Sequence, residues 1–477
     1  MGKTYIQELF KANNITVGDH RQQLFDAFVN EEINRLAVQQ IIENKKLLMD
    51  TWQLKSRLAD IQQQSVSIPN ATAGKSYAVT LDFAQLNWND VECIAIEGLE
   101  EYGLQYDPGT KTISGIPLKS GDVRWVLKYR VTGEKEDSAP HEKRIPLIIN
   151  PSPRSLWKNI PSDTTDPHWK EDNVATVAQL GTKRLVAASK RGRSHANTGG
   201  FREDDFAFQH FGENGWSVFA VSDGAGSARL SRAGSKMACK GVVEFFEQHF
   251  TPERSAALDA LLAEHAASAG DKTQKELTRF VYDNLGKAAF TVFKKLEEFA
   301  ASTGAPLKDF HSTLIFVLLK QYEFGEVIMS FGVGDCPIAL INKDFSAVNL
   351  LNRLDVGEFS GGTRFITMQE IFKSDTFATR FGFKLVPDFS YLMLMTDGIY
   401  DPKFEVEANL EKLEAWKALL ADLDGDNEDK VKVHLESHTP EVANELATWM
   451  DFWSPGNHDD RTLMIISQVP ASIPVVS

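Results

Sequence analysis

Cysteine is scarce in this 477-residue chain: Cys93, Cys239 and Cys336 lie far apart and form no CxxC pair. That argues against a disulfide scaffold or a cysteine-ligated zinc site and suits a reducing, cytoplasmic setting. Long apolar runs are missing, since none approaches the roughly 18–20 residues a membrane span needs. The opening MGKTYIQELF has no signal-peptide apolar segment, and Ile6 stands where a myristoylation pattern needs Ser or Thr. Positive charge is in deficit. The formal net charge of −15 argues against non-specific nucleic-acid binding. Two familiar loops are also absent. GVGD at 332–335 precedes a strand and lacks the third glycine of a dinucleotide fingerprint. DLDGDNED at 422–429 has Asn427 where a calcium loop needs Gly and Val433 where it needs Glu.

What is present divides the chain, and its length calls for two or three domains. Residues 1–65 place Leu24, Phe25, Phe28, Ile33, Leu36, Ile41, Leu48, Trp52, Leu58 and Ile61 at helical spacing, which predicts a helical segment. From 66 to 151 the period becomes two, as in Tyr77, Val79, Leu81 and Phe83, or Val123, Trp125, Leu127, Tyr129 and Val131, with turns at DPGTKT, SGIP and KSGD. A small antiparallel β domain is expected there. LQYDPGTKTISGIPLKSGDVRWVLKYRV within it resembles the core of bacterial Ig-like domains. Residues 152–172, rich in Pro, Ser and Asp, read as a linker. The region 173–470 alternates short apolar runs (WSVFAVSDG, STLIFVLLK, EVIMSFGVGD, YLMLMTDG, RTLMIIS) with helical stretches. One helix is expected from Ser231 to Phe250 and another from near Thr273, so the fold class is α+β, stacked sheets flanked by helices.

Several of these apolar runs begin or end in aspartate. One such Asp-Gly is ordinarily a hairpin turn. Here the pattern recurs at Asp204 and Asp205, Asp223, Asp335, Asp397, and Asp459 and Asp460. Strands of one sheet or of a facing pair can bring such ends together. Clustered carboxylates repel unless cations neutralise them, and all-oxygen ligands suit Mg²⁺ or Mn²⁺.

REDDFAF, VSDGAGSA, FHSTLIFVLL, FGVGDCPIAL, GEFSGGTRFIT, LMTDGIYD and HDDRTLMII, in this order, resemble the PPM/PP2C metal-dependent serine/threonine phosphatases, and most closely a bacterial subgroup. The resemblance implies a β-sandwich of two antiparallel sheets flanked by helices, with a binuclear metal centre at one end. It implies Asp205 as the first-motif ligand, with Asp204 as the adjacent water-mediated carboxylate. Asp223 would bridge two ions of Mn²⁺ or Mg²⁺, the Gly224 carbonyl would ligate one, and Asp397 and Asp459 the other. Asp335 would help hold a third ion, supported by Asp401. The implied chemistry is hydrolysis of phosphoserine or phosphothreonine in proteins by a metal-activated water, with Asp223 and Asp397 indispensable. A phosphorylated protein is then the substrate and a Ser/Thr kinase the opposing partner.

The chain departs from the family in two places. Ala225 follows the Asp-Gly where many members have a histidine, which leaves His195, His311 and His458 as the histidines nearest to motifs. The usual phosphate-binding arginine is also displaced, and Arg202 and Arg193 are the candidates. A phosphoprotein-binding scaffold with an inactive phosphatase fold is the alternative function. Residues 1–151 are expected to dock a partner or to oligomerise.

Overall fold

A computed structural model describes residues 2–135, 137–268, 270–355, 362–437 and 439–469. The stretch 356–361, which contains GEFSG, lies outside the described residues. No helix among the described residues is long and apolar enough to cross a membrane. The chain divides into two compact units, Met1–Leu156 and Trp157–Ser477.

The first unit opens with helices α1 (Gly2–Ala12), α2 (Gln22–Asn30) and α3 (Glu32–Gln63). Helix α3 runs 32 residues without Pro or Gly; Val38 packs with Ile6, Phe25 and Val29 of α1 and α2, and Ile61 at the C-terminal end enters the core of the β strands. There Lys143 Nζ reaches the carbonyls of Ile61 (2.7 Å) and Gln64 (2.6 Å), satisfying acceptors that a helix end leaves open. Arg57 adds a forked bond to Asp90. Farther along, Leu36, Leu47, Leu48 and Trp52 are exposed.

Seven strands follow: β1 (Ala71–Thr72), β2 (Tyr77–Thr80), β3 (Val91–Glu97), β4 (Leu104–Asp107), β5 (Thr112–Gly115), β6 (Gly121–Val131) and β7 (His141–Asn150). They form one sheet ordered β1-β7-β6-β3 and another ordered β2-β5-β4. The core between them holds Trp88, Ile113, Trp125, Leu127 and Ile145. The sheets are not wholly antiparallel as expected, because β1 pairs in parallel with β7. Strand β2 stops at Thr80, and Leu81 and Phe83 reach the core from the turn that follows it.

The second unit contains β8 (Asn173–Leu180), β9 (Lys183–Lys190), α4 (Arg193–Thr198), β10 (Asp205–Phe211), β11 (Trp216–Ser222), α5 (Ser231–His249), α6 (Pro252–Ala267), α7 (Asp271–Thr303), β12 (Leu314–Tyr322), β13 (Gly325–Val333), β14 (Ile338–Asn342) and β15 (Val348–Leu350). Then come β16 (Phe381–Val386), β17 (Phe389–Met395), α8 (Asp397–Phe404), α9 (Leu413–Leu423), α10 (Glu441–Trp449) and β18 (Arg461–Gln468). Three helices, rather than the expected pair, separate β11 from β12. The extra one, α6, buries only Ser255, Leu258 and Leu262 and so leaves a faint apolar pattern.

Two antiparallel sheets result, ordered β10-β11-β12-β13-β16 and β15-β14-β17-β18-β9-β8. Alternation explains the layering. Trp216, Val218 and Ala220 face α5 and α7, while Phe219 and Val221 face the second sheet. Likewise Leu392 and Leu394 point between the sheets and Met393 and Met395 toward α8–α10. Strands covered on both sides read as unbroken apolar runs, as they do here. Residues 157–172 are part of this unit rather than a free linker. Trp157 packs its ring on His458 at 4.5 Å, and Lys170 is buried beneath β10.

Candidate functional site

In an antiparallel sheet the end of one strand lies beside the start of the next. Ser222 pairs with Asp205, Val333 with Leu314, Met395 with Leu463, and Lys190 with Arg461. Each acidic tip therefore falls at the same end of its sheet. Asp204 joins the two sheets there. Its Oδ2 accepts from Thr396 Oγ1 at 2.7 Å and from Thr462 Oγ1 at 2.8 Å.

The carboxylates that meet are Asp204, Asp223, Asp335, Asp397, Asp401 and Asp459. Burial pushes Asp397 up to about 8, with the charges of Asp335, Asp459, Asp204 and Asp401 adding to it. Burial, then the charge of Asp460, pushes Asp204 up to about 7. Asp223 is raised well above the usual carboxylate range by burial and by Asp397, Asp204 and Asp335. Asp335, Asp401 and Asp459 are raised as well, in each case chiefly by burial. Asp335 receives Thr363 Oγ1 at 2.7 Å on one oxygen, while its other oxygen is buried without a partner. Donor atoms of Asp223, Asp335 and Cys336 lie within 4.8 Å of one another. Such a set cannot ionise fully unless a cation is present, and its oxygens suit a hard divalent ion. The residues fit the metal group that the family pattern implies.

Glycine permits the close approaches. A Cβ on Gly224 would sit 2.7 Å from the Glu203 carbonyl oxygen, and one on Gly398 would overlap the Asp460 carbonyl. The structure turns Asp204, rather than the expected Asp205, toward the cluster. Asp204 faces the cluster, whereas Asp205 turns to Lys170 Nζ at 3.0 Å and lies 3.6 Å from Arg202 Nη1. Burial opposes ionisation of Asp205, but Lys170 and Arg202 outweigh it and hold its pKa below the ordinary value.

Arg202 is likewise corrected. Only 2% exposed, it donates to Ser189 Oγ (2.7 Å) and to the carbonyls of Asp204 (2.6 Å) and Glu171 (2.9 Å). That leaves it an internal clasp, with its guanidinium buried among protein acceptors. Arg193 donates to the Asp451 carbonyl at 2.5 Å and lies over Trp453.

Asp460, Glu203 and Lys170, none of them an expected ligand or phosphate-binding residue, brace the site. Asp460 accepts from Gly192 N–H at 2.5 Å, from Glu203 N–H and from His195 Nδ1 at 3.0 Å. Burial opposes the His195 imidazolium, but the Asp460 bond and nearby acids push it up to about 9. Glu203 lies with its carboxylate 4.0 Å from His195. Lys170 was hidden in a stretch that reads as linker. His458 packs between Trp157 and Trp453, and His311 bonds Thr367 through Nδ1.

The family model described as Protein phosphatase 2C matches residues 191–450, more than half of the chain. The chain belongs to the protein phosphatase 2C family. Serine/threonine phosphatase Stp1 from Staphylococcus aureus is similar in fold at 13% identity and TM-score 0.35, over 62% of this chain and 98% of that one. The S. agalactiae serine/threonine phosphatase gives 14% and 0.36 over 60% and 99%. The catalytic domain of serine threonine protein phosphatase PstP, described in complex with two manganese ions, gives 14% and 0.36 over 62% and 99%. No curated protein matches the sequence. Within the phosphatase 2C family match lie every acid of the cluster except Asp459 and all of α4–α10.

Proposed function

We propose that this phosphatase 2C member hydrolyses phosphoserine and phosphothreonine esters in proteins, with two divalent cations, Mn²⁺ or Mg²⁺, and room for a third. The observation that carries the reading is the convergence of Asp204, Asp223, Asp335, Asp397 and Asp459 on one end of the sandwich, with their pKa values raised. Asp223, the Gly224 carbonyl, Asp397 and Asp459 would hold the pair, with Asp204 in the place expected of Asp205, and Asp335 and Asp401 would serve the third ion. When bound, divalent cations supply the positive charge that brings a water's pKa toward neutrality and offsets charge on the phosphoryl group.

The protein's part is to fix the acids. Thr396 and Thr462 orient Asp204, and Asp460, held by His195 and two backbone amides, orients the neighbouring Asp459. Asp397 opens helix α8, whose N-terminal dipole favours its ionised form. A Ser/Thr kinase is the implied opposing partner. The first unit is assigned docking or oligomerisation, and three free cysteines, all buried, suit a cytoplasmic setting.

Phosphate release from a phosphothreonine peptide, with Mn²⁺, Mg²⁺ or EDTA, tests this on wild type, Asp223→Ala and Asp397→Ala. Release that needs both the metal and both acids supports the reading. No release from folded wild type under either metal would replace it with a phosphoprotein-binding scaffold.

A further inference from the structure

The candidate cleft is lined by acids in a chain of net charge −15, yet its proposed substrate is an anion. An acidic phosphopolypeptide is repelled by such a surface unless cations are offered locally. The two arginines expected from the sequence to do this are committed elsewhere, Arg202 to Ser189, Glu171 and Asp204, and Arg193 to the Asp451 carbonyl.

Other cations belong to the chain segments that touch the Asp335 turn. Thr363, whose hydroxyl donates to Asp335, is followed by Arg364 at the wall of a cavity of about 400 Å³. Arg353, Arg380, Asp355 and Glu370 also line it. Asp355 ties this cavity to the site. Its N–H donates to the Gly334 carbonyl at 2.8 Å and its Oδ2 accepts from the Gly334 N–H at 2.9 Å, immediately before Asp335.

Arg380 is committed within the wall, bonding Asp355 at 2.6 and 3.0 Å, so that those two charges cancel. Arg353 and Arg364 are exposed, and among the described residues neither has a hydrogen-bond or ion-pair partner through its side chain. Among the described residues, two unpaired guanidinium groups thus share the lining with one remaining acid, Glu370. Guanidinium forks match the oxygens of phosphate and carboxylate in pairs, which a point-charge cation does not.

We propose that this cavity is an anion subsite, in which Arg353 and Arg364 bind a phosphate or carboxylate carried by the substrate polypeptide next to the phosphorylated residue being cleaved. The inference rests on the phosphatase reading and adds a substrate class to it: proteins phosphorylated within acidic or multiply phosphorylated stretches.

The test uses three phosphothreonine peptides identical except for one neighbouring position, which carries phosphoserine, glutamate or alanine. Their kcat/KM values are compared for wild type, Arg353→Ala/Arg364→Ala and Arg364→Gln, with a small phosphoester in parallel and melting curves to confirm folding. Wild type is expected to favour the phosphoserine and glutamate peptides over alanine by roughly five- to twentyfold, with the preference fading as salt rises. In the double variant the ratio should fall toward one, and Arg364→Gln should lie between. A preference for phosphoserine without one for glutamate would narrow the ligand to phosphate. Equal rates on all three peptides by wild type, or a ratio unchanged in the double variant, would overturn the subsite. If even the small phosphoester is untouched, the phosphatase reading falls separately. Anisotropy of the same labelled peptides then reads the subsite directly: weaker acidic-peptide binding in the double variant supports it, and equal binding overturns it.

Discussion

Removing divalent cations should invert how this protein's stability responds to pH. In the metal-free fold, Asp397 is pushed up to about 8 and Asp204 to about 7, from an ordinary 3.8. Both hold their protons more tightly folded than unfolded. Their favourable contribution is complete below about pH 4 and is lost as pH rises through the folded values. The slope is about 1.4 kcal/mol per pH unit for each such group. Between pH 5 and 7, Asp397 alone costs on the order of 3 kcal/mol. Asp204 adds up to a similar amount, less the part the two share through their mutual repulsion. For a unit of this size the Asp397 share alone corresponds to a fall in Tm of roughly 4 °C. A cation at a hundred times its Kd returns about 2.7 kcal/mol per site. Scanning calorimetry of the full chain at pH 5, 6 and 7, in EDTA and in Mn²⁺, reads this directly. The expected result is a Tm that drops with pH in EDTA and a Mn²⁺ gain that grows over the same interval. Asp397→Asn removes one charge without changing shape. It should flatten the EDTA curve, stabilise the metal-free protein at pH 7 and shrink the Mn²⁺ gain. A Tm in EDTA that is level or rises from pH 5 to 7, or an Asp397→Asn protein that tracks wild type, would mean that these acids do not resist ionisation in the metal-free fold.

Asp205→Ala should cost stability, roughly 3–5 kcal/mol by denaturant titration, because it strands the buried Lys170 charge. Calorimetric Mn²⁺ titration of the same variant should still report binding, whereas Asp223→Ala should abolish it. Gly398→Ala forces a methyl onto the Asp460 carbonyl and should lower Tm or prevent soluble expression, whereas Gly212→Ala, whose methyl would meet nothing, should melt like wild type. Lys143→Met should lose about 1–3 kcal/mol from the first unit, and hydrogen exchange should show faster opening at the C-terminal end of α3.

Much of the architecture was legible along the chain. Strands buried on both faces must be apolar at every position, so WSVFAVS and YLMLM stand out, and the aspartates that close them mark the site without any contact being known. Helix α6 and strand β8 are less visible, because partial burial leaves them without a clean period, and β9, though buried along nearly all its length, opens with the charged Lys183 and Arg184 and so does not read as an apolar run. The GEFSG part of one motif lies outside the described residues.

Which acids would converge was legible in the sequence only down to a pair of neighbours. Asp204 and Asp205 adjoin at the start of a strand, where successive side chains point to opposite sides, so one must face the cleft and the other the interior. Nothing local says which. The tertiary structure decides it by supplying Lys170, 35 residues earlier, as a buried cation for Asp205, and Thr396 and Thr462 as donors for Asp204. The same holds for Arg202, whose sequence offered a cation near a phosphate site and whose fold consumed all of its reach on carbonyls and Ser189. Residue type and period determined the strands and the acidic tips. Partners distant in sequence determined which way each charge faces, because a buried charge must be compensated wherever the fold happens to bring an opposite one.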